Sequence, residues 1–159
     1  MNASLMKKIA AAASGGAIAI AMVLIQWHEG VRYTPYYDVV GVMTVCYGHT
    51  GPDIILEKKY TQAECDDLLA KDIAPATAAV EKSVKVPMTD MRKAALISFT
   101  YNVGAGSLNR STMLRRLNAG DTSEACDELK RWDKAGGKAW RGLTDRRAVE
   151  RELCLSGLQ

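Results

Sequence analysis

A chain of 159 residues with 48% hydrophobic and 25% charged side chains is long enough to bury a substantial core and too apolar for a disordered segment. Its net charge of +3 is unevenly spread, with residues 28–75 summing to −4, residues 76–109 to +2 and residues 110–159 to +3. A basic C-terminal half suits an anionic polymer, but the absence of zinc-type cysteine pairs, a Gly-rich phosphate loop and an RNA-binding aromatic motif argues against nucleic acid as the partner.

From Ile9 to Trp27 run 19 uncharged residues, preceded by Lys7 and Lys8. As a helix that length crosses a bilayer, and the two lysines would stay cytoplasmic and send the rest of the chain outward. Seven alanines with Ser14, Gly15 and Gly16 make up ten of the 19, so such a span is held weakly in lipid. Two other readings compete. Small-residue sites such as Ala17-Ile18-Ala19 suit a cleaved signal peptide, but they lie inside the apolar run rather than after it. A run without a polar face also suits a buried core helix. The expectation is an uncleaved signal-anchor over residues 1–27 and a folded domain over residues 28–159.

Past Gly30, the stretch through Tyr33, Pro35, Tyr36, Gly41 and Val42 to Tyr47 predicts a small β-hairpin. Thr61-Gln62-Ala63-Glu64 is a capping box opening a helix with Cys65, Leu68, Leu69 and Ile73 at helical spacing, which Pro75 should interrupt. A second strong helix begins near Thr89 or Asp90 and runs to about Asn102, where Gly104 and Gly106 should stop it. Ser111 to Leu117 predicts a shorter helix, Asp121 caps another that should end before Gly136-Gly137, and residues near Asp145 to Leu155 predict the last. The fold class is therefore α+β and mainly helical, with strands confined to the first half.

Cys46, Cys65, Cys126 and Cys154 are even in number, and none lies in a C-x-x-C pair. Beside an export segment this predicts two disulfides. Pairing Cys46 with Cys65 and Cys126 with Cys154 keeps each bridge inside one half of the chain, although three connectivities are open.

Glycoside hydrolysis needs a proton donor for the leaving oxygen and a second carboxylate across the scissile bond. Glu29 ends the apolar run just before Gly30, where partial burial would help keep it protonated. Asp38 lies at the start of the hairpin, and Thr44 follows with a hydroxyl able to hold a water. Spacing alone makes this weak evidence, because any surface hairpin can carry two acids and a threonine.

The surrounding residues decide more. Glu29-Gly30, Asp38 and Thr44, followed by Thr44-Val45-Cys46-Tyr47-Gly48-His49-Thr50-Gly51, Ala63-Glu64-Cys65, Tyr101-Asn102-Val103-Gly104-Ala105-Gly106 and Arg146-Arg147-Ala148-Val149-Glu150, resemble the phage-type lysozymes over about residues 22–155. The apolar N-terminus narrows the resemblance to signal-anchor-release endolysins of lambdoid-type phages. It implies a two-lobed fold with an N-lobe over about residues 28–75, a linking helix near 61–85 and a C-lobe over about 86–159. It also implies hydrolysis of the β-1,4 bond between N-acetylmuramic acid and N-acetylglucosamine in peptidoglycan, by Glu29 as acid with Asp38 and Thr44 holding the water. Inversion is implied as well, which needs carboxyl groups roughly 6.5–9.5 Å apart. No metal or cofactor is implied, and the chain is expected to act as a monomer, first at the host inner membrane and then in the periplasm.

Other residues carry two readings each. His49 reads as structural, satisfied by a carboxylate such as Asp72. Asn102 either bonds a sugar or caps its helix. Arg146 either pairs with Glu29 across the cleft or, like Arg147, lies on a solvated face. Trp132 and Trp140 read as core rather than as sugar-stacking residues. The rival functions are a tethered peptidoglycan-binding protein without turnover and a secreted lysozyme with a cleaved signal.

Overall fold

The computed structural model describes residues 1–157. Helix α1 (Ala3–Ala12) is capped by Asn2, whose side chain accepts from the Ser4 and Leu5 amides, and the Met1 amine pairs with Glu152 at 2.9 Å. A single 3-10 turn, Ala13–Gly15, separates α1 from α2 (Gly16–Glu29), with Gly16 at φ 75° in the left-handed region. The apolar run is thus broken rather than straight. One face of it is buried: Leu5, Ile9, Ile20, Ala21, Leu24 and Ile25 are each at most 1% exposed, and α2 packs along α5 (Asp90–Val103), the most extensive helix contact in the fold, while Ala10, Ala11, Ala13 and Ile18 stay exposed. The core-helix alternative therefore describes this folded state, while the same Ala3–Glu29 stretch remains long and apolar enough to cross a bilayer.

A three-stranded antiparallel sheet follows, β1 (Arg32–Tyr37), β2 (Met43–Cys46) and β3 (His49–Thr50), so the expected hairpin gains a third strand. Tyr36 pairs with Thr44 and Tyr37 with Met43, with a bulge between Arg32 and Tyr36 where Pro35 removes a ladder donor. Val45, Cys46 and Tyr47 turn into the core. The Thr61 capping box forms as expected and opens α3 (Gln62–Asp72); Pro75 then sits in the first turn of α4 (Ala74–Ser83), where its missing N–H costs nothing. α3 is tied to β2 by the Cys46–Cys65 disulfide.

The C-terminal lobe is built around α5, whose residues from Ala94 to Thr100 are all buried. Gly104, at φ 87°, ends α5 as expected, but Gly106 lies inside a further short helix, α6 (Ala105–Arg110), before α7 (Thr112–Asn118). α8 (Thr122–Asp127) runs into a 3-10 turn at Glu128–Arg131, and Asp121 stands at its N-cap without a side-chain hydrogen bond. Strands do not stay in the first half: β4 (Lys134–Ala135) and β5 (Lys138–Ala139) form a second small hairpin around Gly136-Gly137. The last helix, α9 (Arg141–Leu155), starts four residues before Asp145 and packs against α5, and Cys154 bridges Cys126. Both disulfides follow the pairing that keeps each inside one half of the chain, and the architecture is a mainly helical, lysozyme-like α+β fold.

Candidate active site

Glu29 is the last residue of α2, and Gly30, at φ 66°, turns the chain out of the helix with its amide on the Gln26 carbonyl. The Glu29 side chain is 30% exposed, and its Oε1 lies 2.5 Å from Nη1 of Arg146. Arg146 comes from α9, 117 residues away in the chain, and is not on a solvated face. Its side chain is 4% exposed, and it also donates from Nε to Glu150 (3.1 Å) and from Nη2 to the Ser98 carbonyl (3.1 Å). Arg147 corrects the same expectation. It is 1% exposed, lies over the Phe99 ring, approaches Glu150 at 3.0 Å and donates to Oδ1 of Asn102. Two buried guanidiniums thus face two carboxylates, Glu29 and Glu150, which balances charge that would otherwise be costly inside the protein; Glu29 therefore sits against a cation and not in the apolar surroundings that its place after the apolar run suggested.

The hairpin tip organises the other pair. Oδ1 of Asp38 accepts from the amides of Val40 (2.9 Å) and Val42 (2.8 Å), while the Asp38 amide donates to the Val42 carbonyl. Gly41, at φ 82°, lets the loop close this tightly. Thr44 is 4% exposed on β2, and its Oγ1 donates to the Val42 carbonyl at 3.0 Å. With its proton committed there, the hydroxyl oxygen is left as an acceptor for a water O–H. Asp38 and Thr44 are therefore set against each other through one residue, Val42. Among the described residues, no hydrogen bond joins either of them to Glu29.

His49 takes its structural reading: Nδ1 lies 2.8 Å from Asp72 and Nε2 3.0 Å from Asp53. Asp53 was not anticipated. Burial pulls the imidazolium down, but the bonds to the two carboxylates outweigh it and hold His49 above its ordinary value. His28, beside Glu29, was also missed; burial, then Arg146 and Arg147, lower it to about 4, and its Nε2 is buried without a partner.

A cavity of about 340 Å³ opens at Glu29, lined by His28, Asn102, Trp140, Leu143 and Arg146 among others. Trp132 packs edge-on against Phe99 at 5.2 Å and meets the core expectation. Trp140 does not: it is 58% exposed on the cavity wall. Asn102 is exposed beside it at the end of α5.

Residues 26–150, beginning within α2 and ending at the buried Glu150, match the phage lysozyme family model. The chain belongs to the phage lysozyme family. Within that family it is 53% identical to the SAR-endolysin of Enterobacteria phage P21, with all of both chains covered. Among solved phage lysozymes, a P22 lysozyme mutant superposes with a TM-score of 0.80 at 31% identity, covering 86% of this chain and 95% of that one. The active form of the P1 phage endolysin Lyz also gives 0.80, at 25% identity, over 100% of this chain and 96% of that one.

Proposed function

We propose that this protein is a lytic endolysin that hydrolyses the β-1,4 bond between N-acetylmuramic acid and N-acetylglucosamine in peptidoglycan. Glu29 protonates the glycosidic oxygen, and Asp38 with Thr44 aligns the attacking water, giving inversion. The observation that carries this reading is the separate fixing of the two halves of the machinery: Glu29 by a buried arginine, and Asp38 with Thr44 on Val42. It needs no cofactor and acts as a monomer. Glu29→Gln keeps the shape and removes the proton, so clearing of a suspension of purified cell walls should slow by at least ~10²-fold. Near-normal clearing by a folded variant would refute Glu29 as the acid, whereas failure of the wild-type protein to clear the walls would leave a wall-binding protein without turnover.

The same reading assigns residues 1–27 as a releasable anchor and residues 28–159 as the lysozyme domain of the tethered state, with Lys7 and Lys8 cytoplasmic and the remainder periplasmic. Support comes from the double use of one segment. In the folded protein α1 and α2 fill the core and carry Glu29, so a chain whose first helices lie in lipid lacks both. Tethering then means inactivity, and release to the periplasm assembles the site. Cleavage of residues 1–27 would remove that core, which argues against the secreted lysozyme with a cleaved signal. The mass of the active periplasmic protein separates the two.

A further inference from the structure

The second hairpin has no part in the machinery above, yet it shapes the Glu29 cavity. Gly136 and Gly137 (φ 58° and 79°) make its turn, and it delivers Trp140 to the N-cap of α9. The main chain of Trp140 makes the bonds any residue would make here, its amide to the Asp133 carbonyl (2.9 Å) and its carbonyl from the Thr144 amide (2.9 Å), while the ring itself is oriented by its indole Nε1, which donates to the Ala135 carbonyl (3.1 Å). Because 58% of the residue is exposed, one face of this oriented ring is open to the cavity. With its one N–H committed, what the residue presents is a flat apolar ring of set orientation.

Asn102 lies on the same cavity, and Arg147 occupies its Oδ1, which leaves the amide nitrogen to donate. A pinned aromatic face, an amide donor and a carboxyl group around one opening suit a pyranose ring bearing an N-acetyl group: its C–H face stacks on the indole and its carbonyl or hydroxyl oxygens accept from Asn102. We propose that Trp140 is a specificity-determining residue that stacks an N-acetylhexosamine next to the scissile bond, with Asn102 supporting it. This rests on the lysozyme reading and adds a subsite to it.

The test uses the full chain and soluble, uncross-linked glycan strands of alternating N-acetylglucosamine and N-acetylmuramic acid. Trp140→Ala should raise KM roughly tenfold while kcat changes much less, and Trp140→Phe, which keeps a ring but not the N–H, should recover most of the loss. In the Glu29→Gln background the strands should shift the tryptophan emission to the blue, and the added Trp140→Phe change should abolish the shift although Trp27 and Trp132 remain. If Phe is as defective as Ala and both melt early, Trp140 merely pins the hairpin and the subsite falls. Unchanged KM in Trp140→Ala overturns it too, while leaving the enzyme reading intact. If the wild-type protein cleaves no strands, the enzyme reading fails instead, and the emission titration still decides the subsite, its absence refuting it.

Discussion

Burial and the guanidiniums of Arg146 and Arg147 lower His28 to about 4, whereas Asp72 and Asp53 outweigh burial to raise His49. These are the two histidines of the chain, and their effects on stability have opposite signs. Between about 4 and the unfolded value near 6.5 the unfolded chain takes up a proton at position 28 that the folded one refuses, so stability falls as pH falls through that window. His49 holds its proton more tightly when folded. Its contribution is complete below about pH 6.5 and is lost as pH rises through the folded value. An NMR titration should show one imidazole near 4 and the other above 6.5, and denaturation against pH should flatten on the acid side in His28→Asn and on the alkaline side in His49→Asn. A His28 resonance titrating at its ordinary position would show that this burial is absent in solution. At this scale the sequence was readable where a partner is typical of a position, as with His49 and Asp72. Partners from afar were harder: the Arg146–Glu29 pair was one of two readings and is the one the structure forms, across 117 residues, whereas nothing in the sequence beside Trp140 announces the Glu29 cavity.

The break between α1 and α2 makes its own prediction. A Cβ added at Gly16 would meet only Asp90 Oδ2 at 3.9 Å, so the cost of Gly16→Ala is the left-handed backbone and not crowding. At φ 75° and ψ −167° Gly16 occupies a region that is essentially glycine's alone, and the strain for alanine there is about 1–3 kcal/mol, a fall of several degrees in Tm for a chain of this size. In lipid the same change favours a continuous helix by up to about 1 kcal/mol. Melting of the soluble protein and the membrane-bound fraction should therefore move together, downward and upward; an unchanged Tm would show that Gly16 does not hold this turn. The elements that could be read beforehand carried chemical punctuation, such as the Thr61 capping box, Pro75, Gly104 and the cysteines. The β4–β5 hairpin could not, because its two-residue strands are Lys-Ala twice, without a β-branched or aromatic residue. Gly106 failed as a stop because Gly104 had already turned the chain and a new helix begins at Ala105.

On the proposed reading one stretch of sequence serves two environments, and the balance between them is set by the whole molecule. In lipid, residues 9–27 gain from every apolar side chain, whereas in the folded enzyme only one side of α1 and α2 gains, through Leu5, Ile9, Ala17, Ile20, Ala21, Leu24 and Ile25. Hydropathy cannot distinguish these states, which is why anchor and core helix both fitted the sequence. The structure shows how to bias one without damaging the other. Leucine at Ala17 or Ala21 would overpack a closed core and confuse the result, but Ala10, Ala11 and Ala13 are exposed. Leucine at those three adds about 0.3–0.6 kcal/mol of lipid preference each, together roughly 1–2 kcal/mol, a shift of about fivefold to twentyfold toward the membrane. Such a triple variant should clear purified walls at the wild-type rate once extracted and folded, yet remain in the membrane fraction and lyse cells late. Collapse of the membrane potential should release the wild-type protein first. The measurement is full-length protein in the soluble periplasm before and after an energy poison, followed with culture turbidity; equal release of both proteins would show that lipid affinity of the first helices does not set the timing.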